Sequence, residues 1–238
     1  MRFRYHQPIP NFYNIENPHH PKTTISDDFL NEFRDIAVAS GFAGLSYSKL
    51  CDEFKSEWDI DWDNIIILKY AMSEEILKMD PSREKCKLMD DEFQKVGAMT
   101  FALADILREN GFRADLINPL DDRVSLRAIA LQSNDAVITR SNMCLFREGL
   151  NLGFFMIETS IENLPFKSEN ELEWVRDYCS TCGVCIDRCP EKAFDEDGKF
   201  LRKLCTAHRE GCSVCINFCP FYKRGYDKVK KRYERMKK

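Results

Sequence analysis

The sequence predicts an α+β domain joined to a small unit held together by cysteine ligation, with a basic helix after it. Three observations predict this. Eight of the eleven cysteines fall within the stretch from Cys179 to Cys219. Upstream of it, apolar residues recur at helical spacing in some segments and run continuously in others, so helices and strands mix. The mixture lacks a clean strand–helix–strand repeat, which favours α+β over a doubly wound sheet. Finally, Phe221–Lys238 holds nine Lys or Arg against Asp227 and Glu234.

The expected units are an irregular arm over residues 1–25, an α+β domain over 26–165, a cysteine-rich unit over 166–222 and a basic amphipathic helix over 223–238. Four prolines before Lys22, together with His19 and His20, mark the arm. Ser26 caps a helix whose first turn carries Asp27 and Asp28, where acids complement the helix dipole. Phe29, Leu30, Phe33, Ile36 and Ala37 give that helix its apolar face, and Gly41 ends it. Gly41–Tyr47 reads as a short strand or turn, and Asn64–Tyr70 (NIIILKY) as a buried strand. Met72–Met79 is a short amphipathic piece interrupted near Pro81. Asp91–Asn110 is the longest expected helix, with Phe93, Val96, Leu103 and Leu107 on its apolar face and Gly111 closing it. Phe112–Ile117 is a strand and Val124–Gln132 a helix. Met143–Phe146 and Gly153–Thr159 read as two strands joined by a turn near Gly149. Ser160–Trp174 is the hinge into the cysteine-rich unit, with a Ser168-x-x-Glu171 capping box leading into Cys179.

In the cysteine array, Cys179, Cys182, Cys185 and Cys189 have the spacing C-x2-C-x2-C-x3-C, followed by Pro190. Cys212, Cys215 and Cys219 repeat its end before Pro220, and Cys205 precedes them with six residues between. Thiolates are soft ligands that suit iron–sulfur clusters. A C-x2-C-x2-C loop wraps three thiolates onto one 4Fe–4S cube, and the fourth cysteine is aimed at the other cube. This assigns Cys179, Cys182, Cys185 and Cys219 to a first cluster, and Cys189, Cys205, Cys212 and Cys215 to a second. Zinc sites rarely use eight cysteines in this order. His208, Cys51, Cys86 and Cys144 read as ordinary surface or packing residues.

Formal net charge is -4, so the whole chain is not a polyanion binder. No apolar run approaches the roughly 20 residues needed to span a bilayer. The opening residues carry no apolar signal region, so a reducing cytoplasm is expected, with no membrane partner. Neither GxGxxG nor GxxxxGK[ST] occurs, which leaves nucleotide binding by those routes unsupported.

The order of these parts resembles a known family. ADILRENGFRAD, then LRAIALQSNDAVITRSNMCLFREGLNLGFFMIETSIENLPF, then the double-cluster motif, is similar to the epoxyqueuosine reductases and reductive dehalogenases, and to short anaerobe relatives of theirs, over roughly residues 60–220. The resemblance implies that the upstream domain is nitroreductase-like and that the cysteine-rich unit is a bacterial-ferredoxin-like double-cluster domain. It implies electrons passing through the two clusters to a cobalamin, or to a flavin or substrate, held upstream. Asp121 or Asp122 is the counterpart of the family's acidic proton donor, and Tyr70 is a second candidate acid. Read from the residues alone, the aspartate pair is a solvated turn after Pro119. Where relatives carry A-G-L-G-x-I-G, this sequence has Ser133-Asn134-Asp135-Ala136-Val137-Ile138-Thr139, without glycine. Side chains there would crowd a close-packed macrocycle.

Two functions are therefore expected. One is an iron–sulfur oxidoreductase, with residues 133–146 as a wall of the cofactor pocket and Arg140 and Arg147 available to an anionic group. The other is a non-catalytic electron-transfer or activating subunit of a larger redox complex. A redox partner protein and a homodimer are both expected. The basic C-terminal helix is suited to an acidic partner or an RNA backbone.

Overall fold

The structure is a computed structural model that describes residues 7–58, 60–120 and 124–237. Its elements, in order, are α1 (Asp27–Ala39), β1 (Phe42–Lys49), α2 (Asp52–Trp58), β2 (Asn64–Ala71), α3 (Glu74–Lys78), α4 (Arg83–Glu109), β3 (Ala114–Leu116), α5 (Leu126–Gln132), β4 (Ala136–Ile138), β5 (Cys144–Phe146) and β6 (Leu152–Thr159). The cysteine-rich end follows with α6 (Trp174–Cys182), α7 (Val184–Asp187), α8 (Ala207–Glu210), α9 (Val214–Asn217), α10 (Pro220–Arg224) and α11 (Tyr226–Met236). The α+β class holds.

An antiparallel sheet in the order β1-β2-β6-β3 forms the centre. Its two middle strands are continuous apolar runs because both of their faces are covered. Alternation along β2 divides the core. Ile66 and Leu68, with Phe155 and Ile157 of β6, face α1 and α4, where they meet Phe33, Phe93 and Leu103. Ile65 and Ile67, with Met156, face the opposite way onto Trp58, Ile129 and Phe146.

A second, two-stranded sheet of β4 and β5 lies beyond that second face. The ribbon is buried on both sides. Ala136 and Phe146 belong to the core under the main sheet, whereas Val137 and Leu145 belong to a third core. That third core contains Leu172, Val175, Tyr178, Phe221, Tyr226 and Val229 from the C-terminal helices. The ribbon is thus a wall shared by the α+β domain and the cysteine-rich unit.

The arm is strapped to α4. The Asp105 carboxylate accepts the N–H groups of Asn14 (2.8 Å) and Ile15 (3.2 Å), and Arg108 donates to the Ile15 carbonyl (2.7 Å). The Arg108 guanidinium lies 3.4 Å from the Tyr13 ring centroid, a cation–π contact.

Two sequence expectations change, and two features were not foreseen. The longest helix begins at Arg83 rather than Asp91, because Ser82 caps it by accepting the Lys85 N–H at 3.1 Å. The polar run before Asp91 hid that turn. The two strands expected on either side of the Gly149 turn are present, and they enter different sheets. β5 joins β4, while β6 enters the main sheet between β2 and β3, where Phe155, Met156 and Ile157 are fully buried. Ser168 caps no helix; it is exposed, and α6 starts at Trp174 after Glu173 with no side-chain cap. Helix α2 and strand β4 carried too little periodicity to be foreseen, since each spans less than two turns or four residues.

Glu158 on β6 supplies a pH test. It accepts the Trp62 N–H at 3.1 Å. Burial pushes it up from 4.5 to about 7, with the Trp62 bond opposing and Asp115 and Asp61 adding to the rise. The folded chain therefore keeps this proton when the unfolded chain has lost it, so Glu158 costs stability as pH rises from about 4.5 to about 7 and beyond. The Glu158→Gln variant should gain on the parent across that interval and hold a constant advantage above it. Urea midpoints that run parallel between pH 4 and 8 would contradict this.

Candidate iron–sulfur site and the adjoining cleft

The cysteine loops are short helical turns separated by left-handed residues. Gly183 (φ 61°) ends α6 and opens α7, and Gly211 (φ 67°) ends α8 just before Cys212. Glycine accepts that conformation without a Cβ clash. These reversals bring sequence-distant cysteines together. Cys179, Cys182, Cys185 and Cys219 line one small cavity with Tyr178 and Phe221. Cys219 feels Cys179 and Cys185, which are more than 30 residues away in sequence. Cys205 in turn feels Cys212 and Cys189. The two sets approach each other where Cys215 feels Cys185.

Burial raises the Cys179, Cys185, Cys205, Cys215 and Cys219 thiols, with neighbouring cysteines adding to it. Cys185 is pushed up to about 11, and Cys215 and Cys219 to about 12. Backbone N–H groups point at the sulfurs: Arg140 at Cys179, Ala193 at Cys189 (3.3 Å), Ala207 at Cys205, and Phe221 and Tyr222 at Cys219. Buried thiols that accept N–H groups are poor nucleophiles but good candidate ligands, since a coordinated thiol ionises outright. Among the described residues, no three His, Cys, Asp or Glu side chains converge to hold a single metal ion. A four-iron cube has a different requirement. Its thiolates sit on four separate irons, so they surround a volume instead of meeting at a point.

An aromatic wall backs the first set. The Trp174 ring lies 5.0 Å from Tyr233, 5.5 Å from Tyr226 and 5.8 Å from Phe221, and its indole N–H donates to the Tyr226 hydroxyl at 3.0 Å. This is where the apolar stripe of the basic helix goes: Tyr226 and Val229 are buried, and Tyr233 packs beside them. Lys228, Lys231 and Arg235 remain exposed on α11.

Arg140 is committed to the cysteine-rich unit. Its guanidinium donates to the carbonyls of Ser180 (3.0 Å) and Asp197 (3.3 Å). Arg147 is exposed, 3.9 Å from Glu171. Asp121 and Asp122 lie outside the described residues. Tyr70 faces the α1–α4 side of the sheet, 6.0 Å from Phe155, with its ring packed against Gly153. Burial raises its hydroxyl well above the usual range. Tyr70 therefore lies on the face of β2 opposite the ribbon.

The ribbon side carries a group that the sequence reading passed over. Lys69 of β2 is fully buried. Its ammonium lies 2.5 Å from Glu148 Oε1 and 3.3 Å from Asp135 Oδ2. Asp135 also pairs with Lys167 and accepts from Ser46. Burial would raise the Asp135 carboxyl, but the two lysines and Ser46 together hold it below the ordinary carboxylate value. Asp135, Glu148, Lys167 and Ser46 line a cleft with Arg34, Tyr47 and Arg147, and Lys69 lies buried beneath it. Along the adjacent Ser133–Thr139 stretch the side chains are already engaged. Ala136 and Val137 are in cores, Ser133 bonds the Ala130 carbonyl, and Thr139 bonds Ser141 and Met143. No bare backbone face is left for a macrocycle, so the stretch does not fit a corrinoid cradle.

No protein-family model matches the chain. A tetrachloroethene reductive dehalogenase of Sulfurospirillum multivorans is 22% identical over 185 residues, covering 68% of this chain and 36% of its own. An epoxyqueuosine reductase of Leadbetterella byssophila is 30% identical over 87 residues, 29% of this chain and 28% of its own. The chain spans about a third of the length of these curated relatives. Among solved structures, a catabolic reductive dehalogenase bound to 3-bromo-4-hydroxybenzoic acid overlays with a TM-score of 0.67 at 13% identity, over 92% of this chain and 36% of that one. Epoxyqueuosine reductase from Bacillus subtilis overlays at 0.53 and 14% identity, over 83% and 66%. The homologues are thus reductive dehalogenases and epoxyqueuosine reductases, and the fold is one that both share.

Removing one partner from a buried ion pair strands the other. Lys69→Met should lower unfolding free energy by about 3–5 kcal/mol, because Glu148 and Asp135 lose their buried cation. Urea unfolding measures it, and a loss under about 1 kcal/mol would show that the ribbon ends do not depend on this lysine.

Proposed function

We propose that this chain is an oxidoreductase that passes electrons through two 4Fe–4S clusters to a cofactor or substrate held by the upstream domain. The observation that carries the reading is the interleaving of the cysteines. Cys219 stands with Cys179, Cys182 and Cys185, and Cys189 stands with Cys205 and its neighbours. A bacterial-ferredoxin-like double-cluster unit requires that exchange, and a zinc site does not. The reductase names of the homologues support the reaction class.

Bound there, the clusters supply one-electron chemistry and nothing else. The chain's own residues hold the sulfurs, aim N–H groups at them and exclude water from the first set with Trp174, Tyr178 and Phe221. Cys185 and Cys215 are near enough to influence each other electrostatically, so the two sets adjoin there. The Ser133–Thr139 stretch does not fit a corrinoid, because its side chains are packed or hydrogen-bonded. A flavin or an organic substrate is the reading kept for the upstream domain, against the cleft lined by Ser46, Asp135 and Lys167.

The filled stretch favours a second reading, in which the chain is an electron-transfer or activating subunit. In both readings a redox partner protein docks, and the cationic face of α11 suits an acidic one better than RNA because it covers the first cysteine set. No helix among the described residues is long and apolar enough to cross a membrane. We assign the chain to the cytoplasm, where thiols stay reduced. Homodimer formation through the upstream domain remains part of the proposal.

Anaerobically reconstituted protein should hold about eight iron atoms, four per cluster. Cys182→Ser and Cys219→Ser should abolish the same electron paramagnetic resonance signal, and Cys189→Ser the other. If Cys219→Ser instead removes the signal that Cys212→Ser removes, the interleaving is wrong. Turnover by the isolated chain supports the enzyme; a chain that reduces only a co-purifying partner supports the subunit.

A further inference from the structure

Lys85 is a second fully buried lysine, on the first turns of α4. Its ammonium has three donors, and each has an acceptor. They are the carbonyls of Leu77 (3.1 Å) and Met79 (2.8 Å) and the Ser213 hydroxyl (2.7 Å). Ser213 Oγ donates onward to Leu77 O at 2.6 Å, and Asn217 donates to the same carbonyl at 2.7 Å. The hydrogen bonds are complete, yet the charge is not neutralised. Among the described residues no carboxylate lies within ion-pair distance of Lys85. Lys69 shows the contrast, since it has two.

A buried cation without a counter-charge is costly, and proteins normally pair it. The groups facing Lys85 narrow the choice of partner. Burial works against the charged form, and the group opposing most strongly is Cys212, ahead of Asp80 and Cys86. The stem of Lys85 passes directly under the Cys212 loop. A Cβ on Gly211 would stand 3.1 Å from Lys85 Cγ, and Gly211 has φ +67°. Glycine at that position lets the lysine pass. The charge is thus delivered next to Cys212 and Ser213 from α4, while the same ammonium closes the Leu77 and Met79 carbonyls at the end of α3.

Resting on the two-cluster reading, we infer that Lys85 is the built-in counter-charge of the cluster held by Cys189, Cys205, Cys212 and Cys215, and sets that cluster's reduction potential above the value its thiolates alone would give. Net charge near a cluster is one of the levers on its potential. One electron enters from an external reductant and no bond or proton moves. The fixed cation stabilises the more negative state, so the reduced form is favoured. Lys85 touches no sulfur and acts as a positioning and tuning residue. It also couples cluster loading to the docking of α3 and α4 on the cysteine-rich unit, because Ser213 and Asn217 share the Leu77 carbonyl with it.

The test is a dithionite-mediated redox titration of reconstituted full-length protein, followed by electron paramagnetic resonance. In Lys85→Met, with iron content at the parent value, one cluster should become at least tenfold harder to reduce at a fixed potential, about 59 mV for one electron. The other cluster should not move. Lys85→Arg should keep the parent potential, and Ser213→Ala should leave it unchanged while loosening the loop. Unchanged potentials in a fully loaded Lys85→Met overturn the inference. Where Lys85→Met fails to load the second cluster, Lys85→Arg decides. Full loading at the parent potential shows that the charge is required, and equal failure of both shows that only the lysine's shape is used. A parent protein that takes up no second cluster would defeat the proposed function itself, which the iron count separates from failure of this inference.

Discussion

The arrangement depends on a ribbon of six residues that has no solvent face. β4 and β5 bury Ala136 and Phe146 under the main sheet and Val137 and Leu145 under the C-terminal helices. Neither core closes without the ribbon. Buried apolar area drives both contacts, at about 25 cal/mol per Å². A short two-stranded ribbon has little stability of its own, so it is held because both neighbours need it. Its ends are fixed electrostatically by Lys69, which pairs Asp135 just before β4 and Glu148 just after β5.

This wall positions the cysteines. Arg140, in the turn between β4 and β5, reaches two carbonyls of the cysteine-rich unit and sends its backbone N–H to Cys179. On the far side, Trp174 gathers Tyr226, Tyr233 and Phe221 into one aromatic stack. Paired rings of this kind contribute beyond simple burial. The basic helix is therefore a structural lid first, and its cations are what is left over on the outer face. The two buried lysines are handled in opposite ways. Lys69 is neutralised by carboxylates, and Lys85 is given carbonyls and a hydroxyl only.

Much of the site was legible in the linear chain. Thiolate chemistry and the fixed spacing of Cys179, Cys182, Cys185 and Cys189 point to clusters without any fold, because three ligands on one local loop need only local geometry. Ser26, the apolar face of α1 and the NIIILKY strand were likewise local, and each formed with small shifts at its ends. The misplaced features were all decided at a distance. Ser168 has the right neighbours for a cap, but the chain there is exposed and turns instead, since Trp174 is the first residue with a core to enter. The two strands flanking the Gly149 turn were legible, but their partners were not: β6 pairs between β2 and β3 and β5 pairs with β4.

By itself, then, the sequence determined the α+β class, the spacing of the eight cysteines and the basic stripe of the last helix, because composition, periodicity and short-range spacing are properties of the chain. The tertiary structure alone decided that Lys69 and Lys85 are buried, that Arg140 braces the cysteine loops and that Ser133–Thr139 is packed shut. Those outcomes turn on which long-range partner excludes water from a polar group, and nothing within a dozen neighbouring residues encodes that. A lysine in a β-run or on a helix reads as a solvated cation until the fold brings Asp135, Glu148 or the Cys212 loop against it.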